Sequence, residues 1–178
     1  MAVLVHERTP VHRGRVFEMI RERVTLDNGV TTELDLIRHP GAAAMVPMPD
    51  PETVILLRQY RHAVGTSLWE IPAGTLEPGE DPLDGAKREI VEEIGYSADR
   101  WEKLGEIVPV PGYADERIHL FLAESLRPAQ QALDADEVIE VHTFPLGNVW
   151  EMVDAGEIQD AKTLGGLLHL ARRRNRAR

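Results

Sequence analysis

Residues 74–96 read GTLEPGEDPLDGAKREIVEEIGY, and the folding of this stretch decides the rest of the chain. Asp81-Pro82 opens a helix, since Asp can cap the first unpaired N–H groups and Pro suits the first helical position. Leu83, Ala86, Ile90 and Ile94 fall on one helical face, and Gly95 supplies the stop. The spacing predicts a helix over Pro82–Ile94. Within it, Glu89 stands three residues before Glu92 and four before Glu93, so three carboxylates crowd one edge. Like charges so placed cost about 0.2–0.5 kcal/mol per pair. That edge borders the apolar face, so it does not point freely into solvent. A hard divalent cation held by carboxylate oxygens would remove the repulsion. On the helix alone, a solvated acidic face is the better explanation.

The surroundings reverse that balance. Gly74, five residues, Glu80, seven residues, Arg88-Glu89-Ile90, one residue, Glu92-Glu93, one residue, Gly95-Tyr96 resembles the Nudix box. It departs only at Tyr96, where an aliphatic residue is usual. Eight fixed or class-restricted positions across 23 residues are far more specific than a short glycine motif. Arg58-Gln59-Tyr60-Arg61, Leu68-Trp69-Glu70-Ile71-Pro72-Ala73-Gly74 and Pro111-Gly112-Tyr113-Ala114-Asp115-Glu116 are similar to the ADP-ribose pyrophosphatase branch. Pro111 stands 15 residues past Tyr96, where that branch carries its marker proline. The resemblance spans roughly residues 38 to 145. It implies an α+β Nudix fold, a mixed β-sheet sandwiched between helices, with an N-terminal antiparallel hairpin. It also implies Mg²⁺-dependent hydrolysis of the pyrophosphate bond of ADP-ribose or a related nucleoside diphosphate sugar, with Mn²⁺ as a substitute cation. The products would be a nucleoside monophosphate and a sugar phosphate.

The same resemblance assigns roles. Glu89 and Glu93 are the central metal ligands and catalytic carboxylates, joined by Glu92 and the backbone carbonyl of Ala73, with Glu80 acting behind them. Arg88 pairs with an acidic residue of the box and fixes its geometry. The general base is a Glu on the loop before the last strand. In Asp134–Glu140, Glu137 aligns best and Asp136 is the reserve, against the plainer reading of a solvated acidic loop. Arg58 and Arg61 are the diphosphate contacts, since a guanidinium grips phosphate bidentately, although Arg58 reads equally well as a strand-surface ion pair. Glu116 is a substrate contact or a plain loop charge, and Trp69 reads as core or interface before it reads as a base stack. Gly74 and Gly95 are expected as permissive turn positions without chemical roles. One departure bears on the substrate. Glu33-Leu34-Asp35 stands where the branch commonly carries an Arg-Glu pair that helps hold the nucleotide, and Arg38 comes only later. Other nucleoside diphosphate sugars are therefore open.

The 178 residues include 30 acidic and 20 basic side chains, a formal charge of −10, and no cysteine. Such a charge argues against nucleic acid and anionic membranes as partners. It also means that a site for an anionic substrate needs local arginines or metal ions. Without cysteine there are no disulfides, thiolate metal sites or thiol nucleophiles, which fits the cytoplasm. Met1–Arg8 puts His6, Glu7 and Arg8 where a signal peptide needs an apolar run. Val16–Val24 and Val30–His39 flank Asp27-Asn28-Gly29 as a hairpin. Further strands are expected at Ala42–Pro47, Thr53–Tyr60, Leu68–Pro72, Trp101–Val110, Ile118–Ala123 and Ile139–Phe144, with a loop at Ala73–Glu80. Helices at about Leu146–Asp154 and Asp160–Arg174 close the chain, the last ending in Arg172, Arg173, Arg174, Arg176 and Arg178. Residues 1–40 are read as a dimerisation hairpin and 41–178 as the catalytic domain, the resemblance implying a homodimer. Two other readings stand beside this one. A Nudix hydrolase of dinucleotides or nucleoside triphosphates is opposed by Pro111 and the Arg58–Arg61 segment. A non-catalytic nucleotide-sugar sensor is opposed by the intact Glu89, Glu92 and Glu93.

Overall fold

The computed structural model describes residues 3–133, 135 and 137–176, which leaves Asp136 and Arg178 outside the described residues. The chain up to Gly41, with Val108–Arg117, forms one compact unit; Ala42–Ile107 and the chain from Ile118 onward form another.

In the first unit, strands β1 (Leu4–Arg13), β2 (Glu18–Thr25) and β3 (Thr31–Arg38) make an antiparallel sheet in that order. The β2–β3 turn lies where Asp27-Asn28-Gly29 places it: Gly29 has φ 82° and Asn28 Oδ1 accepts the Val30 N–H at 3.0 Å. Strand β1 is the unexpected member, and all ten of its residues are exposed. Buried Glu22 is held by Arg8 at 2.7 Å and Arg38 at 3.1 Å. Arg38 also reaches Asp115 at 2.9 Å, while Ile37 exchanges backbone hydrogen bonds with Tyr113 and Asp115. The Pro111–Glu116 loop is thereby tied to β3.

The second unit is built on β4 (Ala42–Met48) and β5 (Thr53–Arg61), followed by β6 (Thr66–Glu70), β7 (Ala73–Thr75) and helix α1 (Pro82–Ile94). Strands β8 (Tyr96–Ile107), β9 (Ile118–Pro128) and β10 (Ile139–Pro145) precede helices α2 (Leu146–Asp154) and α3 (Ala161–Arg176). One sheet runs β7-β4-β9-β8 and is mixed, because β4 pairs with β9 in parallel; the other, β10-β5-β6, is antiparallel.

All seven residues of β4 are buried, as an uninterrupted apolar run requires of a strand covered on both faces. Alternation divides them. Ala43 and Met45 pack with Ile55, Leu57, Ala86, Ile90 and Ile94 under α1, whereas Ala44, Val46 and Met48 pack with Leu56, Val149, Leu167 and Leu170 under α2 and α3. The sheets are thus sandwiched between helices, as expected. Three boundaries differ from the sequence reading. The loop at Ala73–Glu80 begins as the short strand β7 on β4, β8 starts directly after the helix, and β9 runs on to Pro128. No helix among the described residues is long and apolar enough to cross a membrane.

Candidate active site

Helix α1 forms as its sequence dictates. Asp81 accepts the Leu83 N–H at 2.9 Å, Pro82 is the first helical residue, and Gly95 takes the left-handed conformation at φ 68° to end it. Gly85, Ala86, Glu89, Ile90, Glu93 and Ile94 are its buried residues, so two carboxylates share the helix's inner edge with its apolar stripe.

Glu93 is 2% exposed, and one carboxylate oxygen, Oε2, accepts the Ala73 N–H at 2.8 Å. Burial pushes its pKa up to about 8, and the neighbouring Glu89 and Glu137 charges add to the rise. Glu89 is raised too, by burial first and then by Glu92 and Glu137, with Arg88 opposing. Glu137 therefore lies close enough to act electrically on both helix carboxylates. Its loop is anchored on α1: Ala132 N–H donates to the Glu92 carbonyl at 3.1 Å, Gln131 Nε2 to the Glu93 carbonyl at 2.6 Å, and Ala129 N–H to the Gly95 carbonyl at 2.8 Å. These donors satisfy carbonyls that a helix C-terminus leaves unpaired.

Gly74 corrects the sequence reading of a mere turn position. It lies in β7 opposite Ala43, and a Cβ there would meet Glu89 Cδ and Oε1 at 1.8 Å. The missing side chain is the room in which the Glu89 carboxylate sits. Arg88 is the organiser of the box. Its Nε and Nη2 each donate to Glu80 at 3.1 Å, and its Nη1 donates to Glu89 at 2.7 Å and to Glu92 at 2.8 Å. Among the described residues no three acidic or histidine side chains stand as a closed cation cage. The donor chemistry nonetheless fits a hard divalent cation: two buried carboxylates side by side, whose mutual repulsion a cation would relieve, one of them seated in the space that Gly74 keeps clear.

The two arginines of β5 part company. Strand alternation puts Arg61 on the face of Ile55 and Leu57, toward α1, and Arg58 on the other face. Arg61 senses the Glu93 charge and is bound bidentately by Glu70, Nε to Oε1 at 2.8 Å and Nη2 to Oε2 at 2.6 Å. Arg58 stacks its guanidinium on Trp69, 5.8 Å from the ring centroid, and Trp69 meets Phe144 and His142 edge-on at 5.2 Å and 5.1 Å. Arg58 is not brought to the carboxylates, and Trp69 joins the aromatic cluster beside α2. Glu116 belongs to the first unit, where its carboxylate lies 3.6 Å from His39 Nδ1. Sequence reasoning gave Glu70 no role beyond its place in a resembling segment, and passed over Lys162 and Thr163. Lys162 Nζ hydrogen-bonds Glu70, and Thr163 Oγ1 accepts the Ile71 N–H at 2.8 Å. No local signal marks such a contact, which joins residues 92 apart.

The chain is similar to known proteins along most of its length. The chain is 37% identical to an ADP-ribose pyrophosphatase of Bacillus subtilis (strain 168), over 90% of its own length and 88% of the relative's. It is 36% identical to a methanol dehydrogenase activator of Bacillus methanolicus, over 96% and 95% of the two chains. Its fold superposes on the crystal structure of an ADP compounds hydrolase with a TM-score of 0.85 at 21% identity, covering 97% of this chain and 94% of that one. Residues 38–164 match the NUDIX domain. With the box carboxylates gathered on α1 and well over half of the sequence matching that domain, the chain belongs to the NUDIX family.

Proposed function

We propose that this chain is a pyrophosphohydrolase that uses Mg²⁺, or Mn²⁺ in its place, to cleave ADP-ribose or a related nucleoside diphosphate sugar. The products are a nucleoside monophosphate and a sugar phosphate. The observation that carries this reading is the buried Glu89–Glu93 pair, one carboxylate held by the Ala73 N–H and the other seated in the space that Gly74 leaves. The similar ADP-ribose pyrophosphatase supports the substrate class.

Glu89 and Glu93 would hold the cation, with Glu92 and the Ala73 carbonyl as further donors. Once bound, the cation would neutralise the anionic oxygens that shield phosphorus and make a bound water more acidic. The protein's own groups do the rest. Glu137 takes the proton of the attacking water, as its reach over both helix carboxylates allows. Arg61 grips the diphosphate from the same side of β5 and offsets the repulsion expected of a chain with charge −10. Arg88 keeps Glu80, Glu89 and Glu92 in register. Arg58 and Glu116 are kept as further substrate contacts, a role that a site shared between two chains would allow. We therefore include a cytoplasmic homodimer, with residues 1–40 as its contact element and 41–178 as its catalytic domain.

The test is a panel of ADP-ribose, ADP-glucose, GDP-mannose, UDP-glucose and dinucleotides with Mg²⁺, scored by product identity, with light scattering for the oligomeric state. Cleavage of a nucleoside diphosphate sugar into two monophosphates is expected. Turnover of dinucleotides or triphosphates alone would replace the substrate class, and binding without turnover would make the chain a sensor.

A further inference from the structure

Lys162 lies far from the box in sequence, yet its side chain is only 10% exposed and ends on the buried carboxylate of Glu70. Glu70 is itself 2% exposed and already holds Arg61 through both oxygens. One carboxylate thus carries two cations. Burial disfavours its charge, but Arg61 and Lys162 outweigh burial and hold its pKa below the usual carboxylate range. Asp160 aims the lysine. Its Oδ2 accepts from Lys162 Nζ at 3.1 Å, from Thr163 N–H at 2.9 Å and from Thr163 Oγ1 at 2.6 Å. The start of α3 therefore grips Glu70 through Lys162 and Ile71 through Thr163, three and two residues before Ala73, the neighbour of Gly74.

We propose that Lys162 is a positioning residue that releases Arg61 to the substrate diphosphate, an inference resting on the reading of Arg61 as the anion contact. A buried carboxylate left without a counter-ion is strongly unfavourable. If Arg61 were the sole partner of Glu70, an incoming anion would have to compete with Glu70 for the guanidinium. With Lys162 on Glu70 Oε2, the carboxylate stays neutralised while Arg61 turns part of its donor fork toward phosphate. Lys162 hydrogen-bonds Glu70 and Asp160, and its charge also reaches Glu93, so its action through Glu70 is read from substrate affinity and from the Glu70 double variant rather than from kcat.

The test compares Lys162→Met, Lys162→Arg, Glu70→Gln/Lys162→Met and Arg61→Ala in the full chain. ADP-ribose is the probe, with Kd from calorimetry in EDTA, KM and kcat with Mg²⁺, and thermal denaturation to confirm folding. Lys162→Met should raise KM, and the Kd measured in EDTA, about tenfold and by more than it changes kcat. Lys162→Arg should recover most of the affinity. Adding Glu70→Gln to Lys162→Met should also return KM toward wild type, because Arg61 then has no charged carboxylate to leave. An unchanged KM in Lys162→Met beside a raised KM in Arg61→Ala overturns the role of Lys162. A double variant as impaired as the single one makes Lys162 a structural ion-pair partner and overturns it equally. Should Lys162→Met not fold, the charge-matched double variant decides, a raised KM there refuting the inference. An unchanged KM in Arg61→Ala removes Arg61 from the diphosphate, and the underlying reading falls first.

Discussion

Replacing Gly74 with alanine should silence the carboxylate centre while leaving the fold nearly intact. The added Cβ would lie 1.8 Å from Cδ and Oε1 of Glu89 and 2.3 Å from Oε2. Comfortable contacts between such atoms lie at about 3.5 Å, so the carboxylate must retreat by roughly 1.5 Å. The atoms in the way are the far end of a side chain, and its rotamer shift costs on the order of 1 kcal/mol. The backbone has no reason to move, since Gly74 sits in β7 paired with Ala43. A misplacement of about 1 Å at a reacting centre costs on the order of 100-fold in rate. The assay is kcat on ADP-ribose at saturating Mg²⁺, run beside a thermal melt. We expect kcat lower by at least about 100-fold and a Tm lower by only about 2–4 °C. Activity within about threefold of wild type in a folded Gly74→Ala protein would refute the reasoning, because the Glu89 carboxylate could then work from elsewhere.

Glu93→Gln should lower kcat at least roughly 100-fold, and retention of more than about a third of the activity would remove Glu93 from the metal centre. In metal-free protein the same substitution should flatten the dependence of stability on pH. Glu93 titrates near 8 when folded against an ordinary 4.5, so between those values the folded chain keeps a proton that the unfolded chain has released. Its contribution is complete below about 4.5 and lost as pH rises through 8; urea melts with parallel pH profiles for wild type and Glu93→Gln would contradict this. Glu137→Gln should lower kcat with little change in KM, and Asp136→Asn should do less; the reverse order would pass the role of base to Asp136. Thr163→Val should destabilise the protein by about 1–3 kcal/mol, since the Ile71 N–H loses its acceptor in the interior, and an unchanged melting curve would discount that hydrogen bond.

What was legible in the sequence is what short-range rules govern. The ends of α1 follow from Asp81-Pro82 and Gly95, and the β2–β3 hairpin from its Asn-Gly turn. The burial of β4 on both faces follows from its unbroken apolar run. Strand β1 escaped because none of its residues is buried, which leaves no alternation to detect, and Pro10 sits where its pairing slips register. At the site, the box announced Glu89, Glu92, Glu93 and Arg88. What spacing could not convey was side-chain direction. Arg58 and Arg61 look like one motif but alternate to opposite faces of β5, and Gly74 matters for the atom it lacks. The partnership of Glu70 and Ile71 with Lys162 and Thr163 was invisible for a different reason, since it exists only after two distant segments have met.

That partnership has a consequence for a chain made from one end to the other. Glu70 leaves the ribosome 92 residues ahead of the lysine that hydrogen-bonds it. At ordinary synthesis rates of about 5–20 residues per second, that interval is roughly 5–20 s. For most of it, once Tyr96 has been made, the box is complete in sequence while Glu70 has only Arg61 to neutralise it. Helix α3, which brings Lys162, is synthesised only after the box. A nascent chain that has not yet reached α3 would thus carry the box without the lysine on which the proposed release of Arg61 depends.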